Sequence, residues 1–131
     1  MTNDRGDERN PAASIDETGT IDLAALHRAT GGDLELQREV VSMFTLQVTE
    51  KLETIRRSVA ERDAENLQRA SHTLLGSCTT LGVVGMTGFL LALERSAMSA
   101  SFETAQTLCE ELAVAAGQAL RLLEQSVLSS R

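Results

Sequence analysis

Apolar residues recur every three or four positions along most of this chain, and that spacing is the strongest constraint on its fold. An α-helix has about 3.6 residues per turn, so such a repeat places the apolar side chains on one face. The longest run predicts a helix over residues 34–61, with one stripe formed by Leu36, Val40, Phe44, Val48, Leu52, Ile55 and Val59. We therefore expect a long amphipathic helix that buries one of its faces.

Three more segments show the same spacing. They cover residues 63–81, 86–97 and about 101–127, and short breaks at residues 82–85 and 99–101 separate them. The predicted inward residues are Leu67, Ala70, Leu74, Cys78 and Leu81, then Met86, Phe89, Leu90, Leu93 and Ala97, then Ala105, Leu108, Leu112, Ala115, Ala119, Leu122 and Val127.

A shorter helix is predicted over residues 21–28, and Thr30-Gly31-Gly32 breaks the chain after it. Side-chain oxygens that can cap the helices are predicted at Asp33, Asp63 and Ser101. Residues 1–19 are polar, so we expect a disordered leader before one domain at residues 20–131. Four amphipathic helices with short connections pack as an antiparallel up-down-up-down bundle. The predicted fold class is all-α, with the short N-terminal helix over one end.

Composition narrows the classes of function. Aromatic residues make up 2% of the chain, so the core must come from Leu, Val, Ala and Met. The net charge is −7 and Lys51 is the only lysine, which argues against nucleic-acid binding because a phosphate backbone needs clustered cations. Cys78 and Cys109 form no disulfide framework, and the N-terminus reads as no secretion signal, so a cytoplasmic location is expected. No segment approaches the roughly 20 apolar residues of a membrane span.

His72 is the most informative polar residue. At about 100° of rotation per residue, it points roughly 150° away from the apolar stripe of its own helix. Gly76 follows one turn later on nearly the same face, and helical side chains lean toward the N-terminus, so a glycine there leaves the imidazole open to a partner. Periodicity alone favours a surface histidine without function and a glycine tolerated by chance.

Glu94 is placed to meet His72. The break near Val83 comes eleven residues after His72 and eleven before Glu94. Equal offsets in an antiparallel helical pair put two residues at the same height, so the carboxylate can reach the imidazole. It would then hold Nδ1–H and leave Nε2 as a free nucleophile toward solvent. The alternative is a solvated charge beside Arg95.

The neighbours of His72 are candidates for contact with a partner. Arg69 can pair with phosphoryl oxygens, although it can equally be a plain surface cation. Leu75 and Leu91 are predicted to be half-exposed, and they can form a docking patch or pack against other helices. The predicted partner-binding residues are Gln68, Leu75, Gly76, Ser77, Thr79 and Leu91.

The segment Ala70-Ser71-His72-Thr73-Leu74-Leu75-Gly76-Ser77 resembles the signature of the histidine-containing phosphotransfer (HPt) domain family, roughly Ala-His-x-Leu-Lys-Gly-Ser. Leu81-Gly82 is similar to the family's turn, and Leu93-Glu94 to the acidic or amide residue that contacts the active histidine. The resemblance covers about residues 21–128. Leu75 departs from it, because the family usually has a lysine there that is thought to help hold the phosphoryl group.

The resemblance implies a phosphocarrier. We also expect a monomer, because the bundle uses its apolar stripes internally. His72 would take a phosphoryl group on Nε2 from the aspartate of one response-regulator receiver domain and pass it to another. Glu94 would orient the imidazole. Receiver domains, a hybrid sensor histidine kinase or both would be its partners. The receiver would supply Mg²⁺ and a lysine, so the chain itself needs no cofactor. No Gly-rich phosphate loop is present, so autophosphorylation from ATP is not expected.

Three other functions compete with phosphotransfer. The Leu75 departure favours a module that binds receivers without efficient transfer. A metal-dependent bundle enzyme would need Glu-x-x-His pairs on facing helices, and the sequence has only His27 and His72. A cysteine hydrolase would need an accessible thiol, whereas Cys78 is predicted to face the core.

Overall fold

The computed structural model describes residues 18–129, and within them the chain forms five helices and no strand. The helices are α1 (Leu23–Thr30), α2 (Leu34–Glu61), α3 (Ala64–Leu81), α4 (Thr87–Met98) and α5 (Phe102–Ser129). Helix α2 packs against α3 and α5, and α4 packs against the same two helices, while α1 lies on α2 and α3. This confirms the predicted all-α fold, an antiparallel four-helix bundle with an extra N-terminal helix. The predicted leader lies outside the described residues except for residues 18–19.

Aspartates begin the first three helices. Asp33 Oδ1 accepts a hydrogen bond from the backbone N–H of Leu36 at 3.1 Å, and Asp63 Oδ1 accepts one from Asn66 at 3.1 Å. These contacts satisfy N–H groups that have no partner within the helix, and they confirm two of the predicted caps. At the predicted Ser101 cap, the hydroxyl lies 2.8 Å from that of Ser99.

The first helix starts later than the sequence predicts. Asp22 Oδ1 accepts from the N–H groups of Ala24 and Ala25, at 3.1 and 3.3 Å, so the helix begins after Asp22. Ile21, predicted as its first residue, instead precedes the cap and is buried. The helix ends at Thr30, whose hydroxyl donates to the carbonyl of Leu26 at 3.0 Å.

The chain before α1 is attached to the turn between α3 and α4. The N–H of Asp22 donates to the carbonyl of Gly82 at 2.6 Å, and the N–H of Gly85 donates to the carbonyl of Thr20 at 3.0 Å. Gly82 has a φ of +80°. A Cβ at that position would also clash with the carbonyl of Asp22. Glycine is therefore needed there, and it fixes α1 over this end of the bundle.

The buried residues differ from the predicted stripes mainly in α2 and α5, while Leu81 of α3 and Phe89 of α4 are partly rather than fully buried. In α5 the buried residues are Ala105, Cys109, Leu112, Ala116, Ala119, Leu123 and Val127, whereas Leu108, Ala115 and Leu122 are only partly buried beside them. The contacts of α5 with both α2 and α4 decide which apolar column faces inward. In α2, Leu36 is exposed and Gln37 is buried in its place, because the Gln37 amide donates to Thr30 Oγ1 at 3.1 Å.

Candidate functional site

The imidazole of His72 stands on the outer face of α3. Its side chain is 70% exposed, while the neighbouring Leu74 is fully buried. The helix therefore turns its apolar stripe inward and presents the imidazole to solvent. This orientation follows the projection made from the sequence.

Glu94 of α4 lies against this histidine. His72 Nδ1 is 2.9 Å from Glu94 Oε2, and the Glu94 side chain is 15% exposed. An ionised carboxylate only accepts hydrogen bonds, so in a neutral imidazole this contact favours the proton on Nδ1 and the lone pair on Nε2. Within residues 18–129, Nδ1 is the ring nitrogen that has a hydrogen-bond partner. In that tautomer, Nε2 is the unprotonated nitrogen of a side chain that is 70% exposed.

Gln68 is engaged within the protein. Its Nε2 donates to Glu94 Oε2 at 2.9 Å, the same oxygen that faces His72. The sequence places Gln68 among the partner-binding residues and does not anticipate this contact. Its position one helical turn before His72 is the signal that could have found it, since residues four apart share a helix face.

The structure does not bring Arg69 to His72. Its guanidinium donates to Glu65 at 3.0 Å and to Asn66 at 3.2 Å, both one turn earlier on α3. The Arg69 and Glu65 side chains are 62% and 84% exposed. An exposed ion pair of this kind contributes about 0–1 kcal/mol, so a stronger anion can draw the guanidinium away.

The other predicted contact residues on α3 and α4 are uncharged. Leu75 packs partly against the core, and Leu91 on α4 is 41% exposed. Thr79 uses its hydroxyl to donate to the carbonyl of Leu75 at 2.9 Å. A Cβ built on Gly76 would meet nothing within 4 Å, so packing does not require a glycine there.

A groove between α2 and α3 reaches this face. Its volume is about 640 Å³, and it is lined by Val40, Met43, Phe44, Gln47, Thr73, Gly76, Ser77, Thr80 and Leu81. Met43 in its wall is 70% exposed, and Leu46 on the same helix is 62% exposed. The sequence does not predict the groove, because its width depends on how two helices pack.

The cysteines and metal-binding side chains bear on the competing functions. Burial raises the pKa of the Cys78 thiol to about 12 and also raises the pKa of Cys109, so both stay protonated near neutral pH. A protonated, buried thiol is a poor nucleophile.

Within residues 18–129, no group of three or more His, Cys, Asp or Glu side chains could hold a metal ion. In the same part of the chain, no helix is long and apolar enough to span a membrane.

The fold and this histidine site define a class of protein. A family model of the Hpt domain matches residues 39–126, and the chain belongs to that family. At this level its function is histidine phosphotransfer in two-component signalling, in which Hpt proteins act with response-regulator receiver domains and kinases.

One solved structure gives a closer comparison. The chain is similar to histidine-containing phosphotransfer protein B (HptB) from Pseudomonas aeruginosa PAO1, with a TM-score of 0.75 and 23% sequence identity. The alignment covers 92% of this chain and 99% of that chain, and at this identity it supports the fold. No curated protein sequence matches significantly.

Proposed function

We propose that this protein relays a phosphoryl group between the aspartates of receiver domains, with His72 Nε2 as the carrier atom. The observation that carries the proposal is the 2.9 Å contact between His72 Nδ1 and Glu94 Oε2 on an imidazole that is 70% exposed. In a neutral imidazole, that contact supports a proton on Nδ1 and a lone pair on Nε2.

The transfer is a displacement at phosphorus. The Nε2 lone pair forms a bond to the phosphorus of the receiver's phosphoaspartate, and the bond from phosphorus to the aspartate oxygen breaks in line with it. The aspartate leaves as a carboxylate. The imidazole gains positive charge as the new bond forms, and the Glu94 carboxylate at Nδ1–H stabilises that charge. The reverse reaction passes the group to a second receiver.

This chain supplies a nucleophile and an open face, and the receiver supplies the rest. Phosphoryl transfer depends mainly on positioning and charge neutralisation. Mg²⁺ and a lysine of the receiver would carry most of the neutralisation, since position 75 is a leucine. Arg69 is the nearest cation of this chain that can turn toward the phosphoryl oxygens. The protein thus acts as a phosphocarrier without a cofactor of its own, rather than as an ATP-dependent kinase.

Docking would use the uncharged surface around His72. A Cβ at Gly76 would meet nothing within 4 Å, while Leu75, Ser77 and Thr79 follow His72 on α3 and Leu91 precedes Glu94 on α4. Receiver domains, a hybrid sensor histidine kinase or both are the proposed partners. We propose a monomer, because the bundle uses its apolar stripes internally. We propose a cytoplasmic location, because Cys78 and Cys109 form no disulfide framework.

A second candidate is an Hpt-type module that binds receivers without efficient transfer. Leu75 favours it, because it removes a cation from the position where the family usually has lysine. The nucleophile and its carboxylate are present in both cases, so the two candidates differ in rate rather than in fold.

The experiment uses a kinase and receiver pair charged with ATP. Wild-type protein and His72→Gln are incubated with several such pairs, and acid-labile phosphate on the protein is measured. Label on wild type that is absent from His72→Gln supports the relay. Receiver binding without label from any pair would support the binding module instead.

A further inference from the structure

Gln68 and His72 share one acceptor atom. Gln68 Nε2 and His72 Nδ1 each lie 2.9 Å from Glu94 Oε2. A carboxylate cannot donate, so the amide must turn its NH₂ group toward it, whichever way the terminal atoms of the glutamine are assigned. With the proton on Nδ1, one oxygen of Glu94 therefore receives two N–H donors, both from α3.

The two donors are the polar partners of Glu94 within residues 18–129. In that range its carboxylate forms no ion pair with an arginine or lysine. Gln68 and His72 lie one helical turn apart on the same face, while Glu94 comes from α4. Gln68 is also less exposed than His72, so its amide is the more restrained of the two donors.

The restraint that Gln68 places on Glu94 matters because phosphoryl transfer requires the Nδ1–H tautomer of His72. In an isolated neutral histidine the proton prefers Nε2, and an acceptor must stay at Nδ1 to reverse that preference. A glutamate side chain has three rotatable bonds, so one contact to an exposed imidazole holds it weakly. A second hydrogen bond from a half-buried amide limits these rotations.

We propose that Gln68 is a positioning residue, whose amide holds the Glu94 carboxylate against His72 Nδ1 and thereby keeps Nε2 unprotonated. The effect of Gln68 on phosphoryl transfer rests on the proposed function. The effect of Gln68 on the imidazole tautomer is a property of the isolated protein and can be measured without any partner.

The first test is the tautomer of His72 in Gln68→Met, which keeps the side-chain length and removes both N–H donors. The ¹⁵N chemical shifts of the imidazole nitrogens are recorded on isolated protein at a pH where the ring is neutral. We expect wild type to be mainly the Nδ1–H form and Gln68→Met to shift toward Nε2–H. His27, the other histidine of the sequence, is an internal reference.

The matched control is Gln106→Met on α5. Gln106 Nε2 donates to Glu110 Oε2 at 3.1 Å on the exposed face of that helix, so the control loses a similar hydrogen bond away from His72. It should leave the tautomer of His72 unchanged. An unchanged tautomer in Gln68→Met as well would overturn the proposal.

The second test is a double-mutant cycle on the rate of phosphoryl transfer from a charged receiver. Gln68→Met should slow transfer roughly three- to tenfold, the range for a lost hydrogen bond to a charged group that is partly replaced by water. In a Glu94→Ala background the same substitution should have no further effect, because Gln68 acts through Glu94.

The cycle also separates this role from direct contact. An equal loss in both backgrounds would overturn the proposal and assign Gln68 to the phosphoryl group or the receiver. If wild type accepts no phosphoryl group but its tautomer still depends on Gln68, the positioning role stands and the proposed function fails.

Discussion

Around His72, the charged side chains turn in two directions. Glu94 faces Nδ1 at 2.9 Å, whereas Arg69 turns back to Glu65 at 3.0 Å. Position 75 carries an apolar side chain that packs partly on the core. A phosphoryl group on Nε2 would thus find Arg69 paired with Glu65 and a leucine where the family usually has a lysine. We expect this arrangement to shorten the lifetime of the phosphohistidine.

Leu75→Lys tests that expectation at the level of one side chain. An ammonium group three residues after His72 can pair with phosphoryl oxygens, and an exposed pair of this kind contributes up to about 1 kcal/mol. The half-life of the phosphorylated protein, measured after removal of the receiver, should therefore rise by up to about fivefold. Thermal unfolding of the variant shows whether the fold tolerates the change.

Val114→Lys is the matched control for charge. Val114 is 75% exposed on α5, which packs against α2 and α4 rather than forming the His72 face. It adds the same charge far from Nε2 and should leave the half-life unchanged. An equal rise in half-life in both variants would show that the effect comes from net charge. An unchanged half-life in Leu75→Lys would show that Leu75 does not shorten the lifetime of the phosphohistidine.

In α3, helix stability and access to the imidazole make opposite demands on position 76. A glycine in the middle of a helix costs about 0.5–1 kcal/mol relative to alanine. A Cβ at Gly76 would meet nothing within 4 Å, so no neighbouring group of the protein excludes a larger residue. If Gly76 serves docking, replacing it with a larger residue should stabilise the helix and slow phosphoryl transfer.

Gly76→Ala and Gly76→Gln should separate these two effects. Both are expected to raise the free energy of unfolding by about 0.5–1 kcal/mol, measured by urea denaturation. The longer glutamine side chain leans back toward His72, so Gly76→Gln should slow transfer about tenfold and Gly76→Ala less.

Gly117 provides the control, because it is a helical glycine of α5 whose Cβ would also meet nothing within 4 Å. Gly117→Ala and Gly117→Gln should give the same gain in stability without a change in transfer. Unchanged transfer in Gly76→Gln would mean that the glycine has no part in docking.

The sequence predicts some elements better than others for a physical reason. The predicted helix over residues 34–61 coincides with α2, because Asp33 caps its start and the apolar repeat is uninterrupted. In α5 two adjacent columns are apolar, so periodicity cannot choose between Leu122 and Leu123 as the inward residue. The neighbouring helices make that choice.

The same limit applies to the site. Equal offsets from the turn near Val83 predict that Glu94 reaches His72, because helix geometry alone fixes the heights of the two residues. The hydrogen bond of Gln68 depends on side-chain rotamers, and the groove beside Met43 depends on the distance between helices. The spacing of Gln68 and His72 shows that they share a helix face, but it gives neither the rotamer of Gln68 nor the distance between α2 and α3.

Across the whole molecule, the buried cysteines link stability to alkaline pH. The chain has one lysine and no tyrosine, so few other groups lose a proton in that range. Cys78 is fully buried, and burial raises its pKa from about 9.0 to about 12. Burial likewise raises the pKa of Cys109, an effect that the nearby charge of Arg56 partly offsets.

The free energy of unfolding should therefore fall as the pH rises above about 9. The unfolded chain releases the Cys78 proton near pH 9.0, whereas the folded chain retains it until about 12, so the unfolded state binds fewer protons between these values. Below that window the contribution is complete and constant. Within it, each pH unit removes up to about 1.4 kcal/mol.

Urea denaturation at several pH values, in wild type and Cys78→Ala, measures this slope. Cys78→Ala should be less stable at pH 8, since it leaves a small cavity, but its stability should decline less steeply above pH 9. The pKa of Cys109 is also raised, so part of the slope should persist in Cys78→Ala and disappear when Cys109→Ala is added. Identical slopes in wild type and Cys78→Ala would show that this buried thiol does not control the alkaline stability of the bundle.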